Sequence, residues 1–146
     1  MISERLFPRL QARFGDRSKK IVGARQVVFS AAHAEVGDLI VQDDDDEVTV
    51  FLGRFTHCHI GNYDDGLTDV GREERISNEV IRFLEETFAD QVEFWGNHRG
   101  GSSRRRKPKP RSFLSKLLYG SRTYVWSGPL ESGAPAAPAS KQVRIG

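Results

Sequence analysis

Three groups of residues in this chain have types and spacings that can do chemistry. The first is Thr56-His57-Cys58-His59-Ile60-Gly61-Asn62-Tyr63-Asp64-Asp65. Successive side chains on a strand point to opposite sides, so His57 and His59 share a face. Two imidazoles on one face can ligate a single transition-metal ion, and Asp64 or Asp65 can curl back as a carboxylate ligand. Such a centre would serve a metal-dependent hydrolase. It would need at least three ligands with support behind them. The competing role for both histidines is structural, beside Phe51 and Phe55.

The second group is Arg104, Arg105, Arg106, Lys107, Lys109 and Arg111, within a basic stretch that starts at Arg99. Six cations in eight positions can neutralise nucleic-acid phosphates. No aromatic side chain lies among them to stack on bases. The competing role is a solvated loop that neutralises acidic parts of the same chain. The third group is Asp43-Asp44-Asp45-Asp46. Adjacent aspartates repel one another and call for a wet turn, which can also meet a basic partner. Their spacing is not that of a helix-loop-helix calcium site.

The His-x-His pair resembles the opening of the metallo-β-lactamase metal motif over those two residues alone, because the closely following Asp-His is missing. The chain holds no Gly-x-Ser-x-Gly, no Cys-x-x-Cys and no His-Glu-x-x-His. The Gly-rich run Gly96–Gly101 lacks the Lys-Ser/Thr pair of a nucleotide-binding loop. The single cysteine, Cys58, excludes an intrachain disulfide and reads as a half-buried strand residue.

The elements that must position these groups follow from periodicity. Leu6, Leu10 and Phe14 recur at helical spacing, with Arg5, Arg9 and Arg13 on another face. Pro8 suits a first turn, which predicts a start near Phe7. Residues 15–23 read as a loop. Strands are predicted over 25–30, around Leu39–Val41 and along Val48–Ile60, with the aspartates at a hairpin tip and Gly53 as a bulge. Thr68 or Asp69 caps a long helix over 70–89 that carries Ile76, Val80 and Leu84. Val92–Trp95 is a strand, 97–111 a flexible basic loop, Ser112 the cap of a short helix, and Thr123–Trp126 a last strand.

Charge is strongly segregated along the chain. Residues 1–34 hold seven basic and two acidic groups, 35–98 four and seventeen, and 99–122 nine and none. The net charge of +2 hides this division. The reading that follows is an α+β fold, a mainly antiparallel sheet with a long amphipathic helix on one face, in a two-layer domain over 1–128 with a flexible tail at 129–146. The expected function is that of a small non-catalytic interaction protein, immunity-type or adaptor-like, whose acidic body meets a basic protein partner. The alternatives are nucleic-acid binding through 99–111 and metal-dependent hydrolysis at His57 and His59. No resident cofactor and no membrane partner are expected. The lone cysteine and the polar N-terminal residues fit a cytoplasmic location. The oligomeric state is not legible.

Overall fold

A computed structural model describes residues 1–23, 25–61 and 66–130, with the backbone alone for 18–22. The fold is α+β. Helix α1 (Ile2–Phe14) leads into an antiparallel sheet whose five strands lie in chain order: β1 (Ser18–Val22), β2 (Gln26–Phe29), β3 (Leu39–Asp43), β4 (Glu47–Leu52) and β5 (Thr56–Gly61). Helix α2 (Asp69–Phe88) follows. A second antiparallel sheet, ordered β7-β6-β8-β9, is built from β6 (Val92–Asn97), β7 (Gly100–Arg105), β8 (Tyr124–Val125) and β9 (Gly128–Pro129). The short helix α3 (Phe113–Tyr119) lies between β7 and β8.

Strand alternation sorts the first sheet into two faces. Val27, Phe29, Leu39, Val41, Val48, Val50 and Leu52 are buried in one core with Ile2, Leu6 and Leu10 of α1 and Ile76, Val80 and Leu84 of α2. Each of these large side chains contributes roughly 1.5–3 kcal/mol by leaving water. The opposite face carries two cross-strand rows, Gln26, Gln42, Thr49 and His59 in one and Val28, Ile40, Phe51 and His57 in the other. Both histidines therefore stand on the face turned away from the helices. Cys58 points inward and packs against the core.

Several local expectations change. Helix α1 begins at Ile2 and runs through Pro8. A proline inside a helix costs about 3 kcal/mol, but the turn before it buries Ile2 and Leu6 completely. Within 15–23, residues 18–22 form β1 against β2. The span Val48–Ile60 is two strands, because Gly53 is a turn rather than a bulge. Gly53 has φ +57°, and a Cβ there would lie 1.8 Å from the carbonyl oxygen of Val36.

The stretch 97–111 contains β7, paired in register from Val92↔Arg105 to Asn97↔Gly100. It is therefore not a loop throughout. Its glycines face glycine: Gly96 pairs with Gly101, and a Cβ on either would strike the carbonyl of Phe55, at 2.3 and 2.5 Å. That close approach seats the Gly53–Phe55 turn on the second sheet. The Phe55 ring stacks on Tyr124 with centroids 4.4 Å apart. The two strands read from Val92–Trp95 and Thr123–Trp126 pair in the second sheet, at Phe94↔Tyr124. Residues 128 and 129, the latter expected to open the tail, form β9; 131–146 lie outside the described residues. No helix among the described residues is long and apolar enough to cross a membrane.

Candidate functional site

The aspartate run divides at the β3–β4 tip. Asp43 is only 1% exposed. Its Oδ2 accepts the amide of Ser3 at 2.7 Å and its Oδ1 accepts that of Asp45 at 2.8 Å. It thus supplies the N-terminal cap that α1 lacks locally, and it is not available to a partner. Asp44, Asp45 and Asp46 are exposed in the turn. Arg25 holds Asp45 at 3.1 Å. Asp45 itself sits at φ +73°, a conformation aspartate tolerates.

His59 meets this tip. Its Nδ1 lies 3.1 Å from Glu47 Oε1 and 3.1 Å from Thr49 Oγ1. The Thr49 hydroxyl also donates to Asp44. One ligand atom from each of Asp44, Glu47 and His59 falls within 4.8 Å of the other two. His57 is not in that group. Its ring faces Phe51, with centroids 5.7 Å apart, and meets the His59 ring edge-on at 5.0 Å. Asp64 and Asp65 lie outside the described residues. Glu47 and Thr49 were missed in the sequence; the local signal was a glutamate one residue beyond the aspartates, at the head of a strand.

Burial shapes the chemistry of Cys58. Removal from water pushes its thiol up to about 11, opposed weakly by a backbone hydrogen bond from Val50. A thiol so shifted is a poor nucleophile at neutral pH.

The basic segment is largely engaged with the protein itself. Arg104 pairs with Glu93 and Arg105 with Glu86. Arg106 donates to the carbonyl of Asp90 at 3.4 Å. Arg111 is 6% exposed and sits over Trp95, 4.1 Å from the ring centroid. Its guanidinium donates to the hydroxyl and carbonyl of Ser115, the carbonyl of Arg122 and the hydroxyl of Thr123. Burial, and then the nearby charge of Arg104, lower its pKa, while Glu93 works in the other direction. Lys107 and Lys109 remain exposed.

The same contacts fix α3. Ser112 caps it, accepting the Ser115 amide at 3.1 Å, and Asn97 Nδ2 donates to the Leu118 carbonyl at 3.0 Å. No residue of α3 is buried. Phe113 is 81% exposed, Leu117 66% and Leu114 61%. Lys116 lies three positions from Phe113 and therefore beside it on the helix surface. The apolar spacing was legible as a helical stripe; its facing solvent was not.

The acidic body is also largely paired. Arg5 reaches Glu73 and Glu74, Arg9 reaches Glu74, and Arg13 lies 2.9 Å from Glu85. Arg122 lies 3.3 Å from Glu35. The segregated blocks of the sequence thus interleave in space.

No protein-family model, curated protein or solved structure matches this chain.

Proposed function

We propose that this chain is a non-catalytic, adaptor-like interaction protein that docks a protein partner through the outer face of α3. The observation that carries this reading is the exposure of Phe113, Leu114 and Leu117 together on a helix anchored by Arg111. Clustered large apolar side chains held out to water by a rigid support mark contact surfaces. The chemistry of the partner follows from the charge around the face. Lys107 and Lys109 precede the helix in the chain, Lys116 lies on it, and no acidic residue occurs between Glu93 and Glu131. The fitting surface is an apolar pocket rimmed by carboxylates, which such lysines would steer into place.

The expectation of a basic partner on an acidic body has less support, since much of that acidity meets the protein's own arginines. It rests on the β3–β4 tip. Phosphate binding by the basic segment would have to break the ion pairs of Arg104 and Arg105.

Site-specific photocrosslinking tests the reading. A benzoylphenylalanine at Leu117 should crosslink one protein that the same probe at Ala12 does not. With the purified pair, binding should fall at least about tenfold for Phe113→Ser and for Lys107→Glu with Lys109→Glu, as expected for anchor residues and rim charges. Equal crosslinking at both positions, none at Leu117, or capture of RNA or lipid instead would overturn it.

A further inference from the structure

We infer that Asp44, Glu47 and His59 form a binding site for a divalent transition-metal ion of the zinc or cobalt type. The inference is independent of the docking face of α3. It differs from the histidine pair suggested by the sequence, because the carboxylates come from the β3–β4 tip and His57 is not a ligand.

Geometry is the first argument. Two ligands about 2.1 Å from one ion stand roughly 3.0–3.4 Å apart in octahedral or tetrahedral arrangements. His59 Nδ1 and Glu47 Oε1 are 3.1 Å apart, and an Asp44 oxygen completes a set contained within 4.8 Å. The three come from the tip, the start of β4 and the facing position on β5.

The support behind the ligands is the second argument. Thr49 is buried, and its hydroxyl donates to one Asp44 oxygen. Gln42 Nε2 donates to the other Asp44 oxygen at 2.7 Å. The tip backbone is closed by Asp44 N on the Glu47 carbonyl and Asp46 N on that of Asp44, both at 2.9 Å. Groups that orient ligands in this way set affinity as much as the ligands do.

Charge is the third argument. Among the described residues, no lysine or arginine forms an ion pair with Asp44, Asp46 or Glu47, and the nearby Arg25 pairs with Asp45. Three carboxylates and one imidazole therefore share the outer face of the sheet without a lysine or arginine partner among the described side chains. One nitrogen and two carboxylate oxygens suit zinc and its neighbours, whereas magnesium and calcium prefer oxygen alone. Water can complete the shell, because Asp44 and His59 are exposed.

The test is titration of the purified full chain with Zn²⁺ by calorimetry and with Co²⁺ by visible absorption, with circular dichroism to confirm folding. One ion per chain is expected. His59→Ala, Glu47→Gln and Asp44→Asn should each weaken binding at least about tenfold, and His57→Ala should leave it within about twofold. A large excess of Mg²⁺ should not displace the ion. No binding up to millimolar metal, equal loss in His57→Ala, or undiminished binding in the combined variant of the three ligands would overturn the assignment.

Discussion

The guanidinium of Arg111 covers the ring of Trp95 at 4.1 Å while it donates five hydrogen bonds around the ends of α3. A residue that reads in the sequence as one more cation of a basic stretch is thus the bracket between α3 and the second sheet. Arg111→Ala removes the cation–π contact and leaves the acceptors of Ser115, Arg122 and Thr123 without their donor. The expected loss is about 2–4 kcal/mol by urea denaturation. Lysine should not restore it, because one ammonium cannot match the planar fork. Amide exchange across α3 should quicken in both variants.

Gly53→Ala should be far more damaging than Gly120→Ala. Both glycines have positive φ, but the Cβ at Gly53 would collide with the Val36 carbonyl, whereas that at Gly120 meets nothing within 4 Å. The first is expected to cost more than about 3 kcal/mol or to prevent soluble expression. The second should show only backbone strain, about 1–2 kcal/mol. Parallel thermal melts compare them.

Cys58 should resist alkylation in the folded protein. With its thiol moved from 9.0 to about 11, its thiolate fraction at pH 8 falls by roughly a hundredfold relative to the unfolded chain. Iodoacetamide labelling with and without urea measures the ratio. The folded state binds the proton more tightly, so this contribution to stability is intact below pH 9 and is lost as pH rises towards 11. Cys58→Ala should flatten that part of the stability profile.

Neighbouring aspartates at the tip should behave differently. Asp43→Ala takes acceptors from the amides of Ser3 and Asp45 and should cost about 1–3 kcal/mol. Asp46→Ala, exposed in the same turn, should stay within about 0.5 kcal/mol. Chemical denaturation of the two variants decides whether the tip is solvated throughout or anchored at one end.

What the sequence carried was what is local. The spacing of Ile76, Val80 and Leu84 defined α2, Thr68 its cap, and the apolar runs around the aspartates the β3–β4 hairpin. What it did not carry depends on partners distant in the chain. β7 reads Gly-Gly-Ser-Ser-Arg-Arg, poor in strand-forming types; it is a strand because β6 offers matching hydrogen bonds and Glu93 and Glu86 take its arginines. The cap of α1 comes from Asp43, forty residues away. The cluster around His59 required the register Thr49↔His59, and that depends on Gly53 reversing the chain where a continuous strand was expected.

The ladder from Arg5, Arg9 and Arg13 to Glu73, Glu74 and Glu85 bears on how the chain is made. During synthesis α1 emerges with its stripe of Ile2, Leu6 and Leu10, but the helix that covers it begins only at Asp69. At ordinary elongation rates that interval lasts several seconds, roughly sixty-odd residues at 5–20 per second. In that time the three arginines lack Glu73, Glu74 and Glu85, and nascent helices of neighbouring chains repel one another. Residues that end as latches between α1 and α2 thus begin as gatekeepers, keeping a sticky segment soluble until its cover arrives.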